Sequence, residues 1–211
     1  MLLHLVRHGE TTFNAEGRIQ GQSDSPLSDL GRRQGQAVAK ALADRPLKAI
    51  FSSPLSRARE TAMPIAERHA LDVQFDSRLM ELSAGIFERQ LKSDLAVTCP
   101  EELSRWLGGD EDFAIPGGES RRQLMQRGCE VLRSIAALGY QEAAIVTHGG
   151  LLSTTLRSLL NLSEPLPPFS LKNGSITRLT VDENGRFALV ALNETQHLES
   201  VGLSGDGDLQ T

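Results

Sequence analysis

An α/β fold in three layers is predicted, with a mostly parallel central sheet, helices on both faces and an antiparallel hairpin at one edge. Three observations predict it. Short apolar runs of strand length alternate with segments of helical periodicity through most of the chain, the pattern of strands joined by crossover helices. Two apolar runs near the C-terminus flank Asn184-Gly185, a strong short hairpin signal. The length, 211 residues, suits one large domain or two small ones, and neither a repeat nor a linker divides it.

Leu2 to Val6, apolar but for His4, reads as a buried strand ending in the loop Arg7-His8-Gly9-Glu10. Ser28 can cap a helix carrying Leu30, Ala37, Val38, Ala41 and Leu42 at helical spacing, and Pro46 stops it. A strand over Leu47 to Ser52 follows. Ser53 and Pro54 suit the N-cap and first position of the next helix, with Leu55, Ala58, Ala62 and Ile65 on its apolar face and a kink at Pro64. Ser83 to Pro116 breaks the rhythm, being rich in glycine and acids with one weak helix around Glu101 to Leu107, and reads as an insertion able to cover a site. Gly117 to Leu138 is a long helical pattern with Leu124, Gly128, Val131, Leu132 and Ile135 on one side, closed by Gly139. Ala143 to Thr147 is the next strand, and His148-Gly149-Gly150 leads into a helix over Leu151 to Leu160. Ser175 to Val181 and Phe187 to Leu192 form the hairpin. One domain is expected over 1–200, with a lid at about 83–116 and a flexible tail over 201–211.

Composition excludes several classes. Apolar and charged contents of 39% and 23% are those of a globular protein rather than a disordered or fibrous one. With 22 basic and 27 acidic residues the net charge is −5, without the cationic excess of a nucleic-acid or membrane-surface binder. The longest apolar run, Phe187 to Leu192, is six residues, against about 20 for a membrane span. No secretory signal is read at the start, and Cys99 and Cys129 stand in no metal or redox spacing, which suits free thiols in a cytoplasm.

In open α/β sheets, ligands bind beyond the carboxyl ends of the parallel strands. Arg7 and His8 follow the first strand, Arg57 lies in the first turn of the helix after the second, and His148 follows the strand Ala143 to Thr147. Two arginines and two histidines converging in an acidic protein point to a phosphate dianion, whose oxygens match the forked guanidinium donors. Gly9, Gly149 and Gly150 would let backbone amides approach an oxyanion, and the helix starting there adds a favourable dipole.

Leu5-Val-Arg-His-Gly-Glu-Thr, Asn14, Gln20-Gly21, Leu27-Ser28, Gly31, Ser52-Ser-Pro-Leu-Ser-Arg57 with Thr61-Ala62, Leu79-Met-Glu81, Gly117-Gly-Glu-Ser and Thr147-His148-Gly occur in that order over residues 2 to 160. The set resembles the histidine phosphatase superfamily, the phosphoglycerate-mutase-like clan. The resemblance implies that His8 is the nucleophile that becomes a phosphohistidine, and that Arg7, Arg57 and His148 hold the phosphate oxygens. It implies that Glu81 is the general acid that then activates water, and that Asn14, Gln20, Gly21 and Gly149 line the phosphate and substrate pocket. The nucleophilic imidazole must be neutral, with its other ring N–H fixed on a backbone carbonyl. Two arginines and a donating histidine supply the charge stabilisation of phosphoryl transfer, so no cofactor or metal is expected. Glu81 donates a proton near neutrality only if burial or phosphate disfavours its charge. Where many relatives carry Gly-x-Trp-Glu-Gly, this chain reads Gly85-Ile86-Phe87-Glu88-Arg89. The stretch from Glu81 to His148 is shorter than in the cofactor-dependent mutases.

Blander roles compete for some residues. Glu88 and Glu119 are alternatives to Glu81, and Arg57 could be an exposed surface arginine. Arg18 is either a substrate contact or a loop brace. His4 suits a core position, His69 a helix end facing water, His197 a structural role, and Asp110-Glu-Asp112 a solvated loop. Trp106 and Phe113 suit buried lid anchors. Cys99 and Arg105 match a cysteine-phosphatase spacing, but Pro100 removes an amide donor and Glu101 and Glu102 repel a dianion. Neither a Gly-x-Ser-x-Gly elbow nor a Gly-x4-Gly-Lys loop is present. The expectation is a metal-independent phosphatase for small phosphate monoesters working through phospho-His8. The alternative is a phosphoglycerate-mutase-type phosphotransferase. The expected partner is a small phosphorylated metabolite, with no nucleic acid and no membrane; oligomeric state is left open.

Overall fold

The structure is a computed structural model and describes residues 1–162 and 169–203. The chain runs β1 (Leu2–Arg7), α1 (Thr12–Glu16), α2 (Asp29–Ala41), β2 (Ala49–Ser52), α3 (Ser56–His69), β3 (Val73–Phe75), α4 (Lys92–Thr98), α5 (Pro100–Leu107), α6 (Arg121–Ala136), β4 (Glu142–Thr147), α7 (Gly149–Leu159), β5 (Ile176–Val181) and β6 (Phe187–Glu194), with short 3-10 turns at Ser77–Leu79, Gly85–Phe87 and Gln196–Leu198. Six strands form one sheet in the order β3-β2-β4-β1-β5-β6. The pairs β1/β4, β2/β4 and β2/β3 are parallel, while β5 runs antiparallel to both β1 and β6.

Alternation along the strands builds two cores, one on each sheet face. Val6, Ile50, Ala144 and Val146 meet Val38 of α2, Leu42 at its C-cap, and Ala58, Ala62 and Ile65 of α3. On the other face Leu3, Leu5, Phe51 and Ile145 meet Leu124, Val131 and Leu132 of α6, Leu151 and Leu156 of α7, and the 83–116 segment. That segment is built more firmly than its composition suggests: α4 and α5 send Leu95, Leu103 and Trp106 into this core beside Phe87, Phe113 and Ile115. No helix among the described residues is long and apolar enough to cross a membrane.

Several expectations need correcting. α1, β3 and α4 were not foreseen; they are five, three and seven residues long, too short to show a period. Ser53 does not cap α3: the N-cap position is Leu55, without a side-chain cap. α3 continues through Pro64 to His69. The long helix starts later than Gly117, at Arg121, where Ser120 and Gln123 form a capping box. Asn184-Gly185 does not make a two-residue turn. Asp182 and Arg186 close a three-residue loop, Asp182 Oδ1 accepts the amides of Asn184 and Arg186, and Gly185 takes a left-handed φ of 74°. His69 is half-buried and donates to Leu42 O at 3.0 Å rather than facing water. Of the expected tail, residues 204–211 lie outside the described residues.

Candidate active site

β1, β2 and β4 end side by side, and the hydrogen-bonded ladder runs one residue past them. The His8 amide donates to Thr147 O at 2.9 Å and the Ser53 amide to Val146 O at 3.0 Å. This extra rung sets the loops bearing His8, Ser53 and His148 in register. Arg7, His8, Arg57 and His148 are 5%, 1%, 0% and 0% exposed. The reading of Arg57 as a surface residue is therefore wrong.

His8 Nδ1 lies 2.7 Å from Gly9 O. A carbonyl only accepts, so Nδ1 carries a proton, and in the neutral ring the lone pair lies on Nε2. The loop around it is fastened from both sides. The Gly9 amide donates to Thr61 Oγ1 at 3.0 Å, and that hydroxyl donates to Arg57 O at 2.7 Å. From the β5 side, Asn173 Nδ2 donates to His8 O at 3.1 Å, and the Gly174 amide is shared between Arg7 O and His8 O. His197 Nε2 donates to Gly174 O at 2.8 Å, the structural role expected of it. Arg7 Nη1 donates to Leu171 O. Arg57 Nη2 and Nη1 donate to Gly21 O at 2.7 Å and Ser23 O at 3.0 Å, folding the 20–24 loop over the site.

The His148 ring sits with its centroid 5.1 Å from that of His8. Burial, reinforced by Arg57 and His8, pushes its pKa well below the ordinary 6.5, so the ring is neutral. Its Nε2 is 2.8 Å from Ser53 Oγ. Glu81 crowns the N-terminus of α7. Its carboxylate accepts the amides of Gly150 at 2.9 Å, Leu151 at 3.0 Å and Leu82 at 2.9 Å. Arg127 holds this stretch from behind, donating to Glu81 O at 2.8 Å and to Met80 O, while pairing with Glu119.

Two of the three glycines act differently from expectation. The Gly9 and Gly150 amides are committed to Thr61 and Glu81 rather than presented to an anion. Gly149 and Gly150 are small so that other groups can lie against them: a Cβ there would meet Arg7 Nε at 3.2 Å and Glu81 Oε1 at 2.6 Å, respectively. The alternatives to Glu81 are engaged elsewhere. Glu88 accepts from Gln22 N, Ala84 N and Ser23 Oγ, and Glu119 from Ser83 N and Arg127. Arg18 braces the loop by bonding Arg89 O and Glu16. Cys99 stands at the N-cap of α5, while Arg105 pairs with Asp110 and lies over Phe113, so no anion cradle joins them.

His8, Gln20, Gly21, Arg57, Glu81 and Gly150 line a cavity of about 30 Å³, with apolar walls from Ile19, Leu82, Ala84 and Leu124. That is room for roughly a water or two. Arg7 and His148 stand behind this lining. Asn14, also behind it, accepts from Thr11 and from Asn173 at 3.3 Å, and Gln20 Oε1 accepts Thr11 Oγ1 at 2.9 Å. A larger groove of about 1080 Å³ opens on the outer surface of α2 and α3 but contains none of the four converging residues. Size points there, whereas the buried cations and paired imidazoles point to the small cavity, and the chemistry decides. Ser53, Thr61, Arg127, Asn173 and Gly174 are supports that sequence reasoning missed. Ser53 was read as a helix cap and Thr61 was quoted among the motif residues without a role, while Arg127, Asn173 and Gly174 carry no local signal that singles them out.

The architecture is a mostly parallel α/β sheet that brings two buried arginines and two buried imidazoles to the carboxyl ends of three strands. The chain belongs to the histidine phosphatase superfamily (branch 1), whose sequence profile matches residues 3–195. It is 36% identical over 215 residues to a probable phosphoglycerate mutase, GpmB, of Salmonella choleraesuis, covering 95% of this chain and 96% of that one. A mycobacterial glucosyl-3-phosphoglycerate phosphatase is similar in structure, with a TM-score of 0.79 and 31% identity over 91% of this chain and 98% of that one. So is a putative alpha-ribazole-5'-P phosphatase from Escherichia coli, with a TM-score of 0.84 and 26% identity over 92% and 96%.

Proposed function

We propose that the protein is a phosphatase of small phosphate monoesters that works through a phosphohistidine on His8. One observation carries this reading: a buried imidazole, its Nδ1–H tied to Gly9 O so that Nε2 is the nitrogen left for attack, lies among Arg7, Arg57 and a second, neutral imidazole. His8 Nε2 attacks phosphorus and the bond from phosphorus to the ester oxygen breaks. Arg7, Arg57 and His148 stabilise the charge on the transferring oxygens, and water then cleaves the phosphorus–nitrogen bond. No metal or organic cofactor is needed for these steps.

Glu81 supplies the proton transfers. Three amide donors favour its carboxylate form in the free protein, which opposes the acid role. A bound phosphate dianion repels that charge and favours protonation, so substrate itself arms the acid. The short span between Glu81 and His148 favours hydrolysis. The similarity to a probable phosphoglycerate mutase keeps a second reading, return of the phosphoryl to a bound acid. Phosphate release from a panel of monoesters, with 3-phosphoglycerate among them, separates the two. Free phosphate supports the phosphatase, isomerisation supports the mutase, and neither product from any ester contradicts both.

A further inference from the structure

We propose that Ser53 is a positioning residue that fixes the tautomer of His148, so that the Nδ1–H of that ring is kept for a phosphate oxygen. The inference rests on the reading of His148 as a phosphate contact and adds the residue that makes it a donor. Ser53 is fully buried, and its hydroxyl has one proton to give. Its oxygen accepts the Leu55 amide at 3.3 Å, and among the described residues the one acceptor within reach of the hydroxyl proton is His148 Nε2 at 2.8 Å. If Nε2–H donated instead, both the Ser53 proton and the Nδ1 lone pair would be left buried without partners. With Ser53 donating, a single group is left over, and the arrangement with fewer buried unsatisfied groups is favoured.

That remaining group is Nδ1, which is buried and has no hydrogen-bond partner among the described residues. A buried N–H on a ring 5.1 Å from the His8 ring, in a neighbourhood of two guanidinium groups, is matched by an anion that enters beside His8. The other tautomer would leave Nδ1 with a lone pair in place of a donor, and a lone pair offers an anion nothing. Neutrality of the ring follows from its burial and its cationic neighbours, so the tautomer rather than protonation decides whether it donates.

Long-range 1H–15N correlation spectra of 15N-histidine-labelled protein distinguish protonated from bare ring nitrogens without relying on turnover. In the wild type, free and with inorganic phosphate, His148 should show a protonated Nδ1 and a bare Nε2. Ser53→Ala should lose that preference and bind inorganic phosphate about ten- to a hundredfold more weakly, as for loss of one bond to a charged group. Ser53→Thr, which keeps the hydroxyl, should restore the tautomer. A protonated Nε2 in the wild type overturns the proposal whatever the variants do, as does unchanged tautomer or phosphate affinity in Ser53→Ala. If the wild type shows the expected tautomer and binds phosphate but hydrolyses no monoester, the phosphatase reading fails while the Ser53 assignment stands.

Discussion

Arg89 holds a φ of 68°, in the left-handed region where glycine is at ease. It occupies the place where the resemblance puts the last glycine of the Gly-x-Trp-Glu-Gly stretch. Its Nε donates to Ser23 Oγ at 3.3 Å in an exposed setting, a weak return for the strain. Arg89→Gly should therefore stabilise the fold by about 0.5–1 kcal/mol, read as a rise of a few degrees in Tm; a lower Tm would show that the guanidinium contact outweighs the strain. At this scale much of the site was legible in the sequence, because Arg7, His8, Arg57 and His148 lie at or just beyond the ends of strands that had a clear apolar signature. Glu81 was legible only through resemblance, since nothing local distinguishes it from Glu88 or Glu119. The Cys99 and Arg105 spacing misleads: Cys99→Ser should leave activity unchanged, and a dead Cys99→Ser protein would reopen the cysteine mechanism.

Two glycines show how elements are fitted to one another. A Cβ at Gly150 would lie 2.6 Å from Glu81 Oε1. Gly150→Ala should displace that carboxylate and lower kcat by about ten- to a hundredfold, while leaving Tm nearly unchanged because alanine favours the helix. Equal losses of fold and activity would contradict the assignment. Gly31 is different, since its added Cβ would collide with the backbone carbonyl of Glu10, where α2 meets the loop after β1. Overpacking against backbone predicts a loss of about 1–3 kcal/mol in denaturant unfolding for Gly31→Ala, and wild-type stability there would sink that reading. Long elements with a full apolar stripe were legible to within a few residues. α1, β3 and α4 were not, because tertiary contacts rather than periodicity hold them: Asn14 of α1, for example, is kept by Thr11 and Asn173.

Across the whole molecule, burial holds the pKa values of His4, His148 and His197 below 6.5. In the unfolded chain these imidazoles take up protons as the pH falls through about 6.5, whereas in the folded protein they do so only at lower pH. The unfolded state then binds more protons, so stability should be flat above neutrality and fall from about pH 6.5 downward, by up to about 1 kcal/mol per pH unit for each fully buried ring. His4 and His148 dominate, and His197, partly exposed, adds less. Thermal unfolding between pH 5 and 8 checks this, and a Tm that rises on acidification would contradict it. The sheet with its hairpin was legible as a whole because alternation and turn chemistry agree along the chain. The cradle that seats His8 was not, since it draws Thr61, Leu171, Asn173 and Gly174 from segments far apart in sequence. The most direct measurement is an acid-free denaturing quench during turnover of a phosphorus-labelled monoester, followed by mass-spectrometric mapping of the label. Phosphate carried on His8, and no turnover in His8→Ala, is the predicted result. Label on another residue, or turnover that survives His8→Ala, would contradict the account.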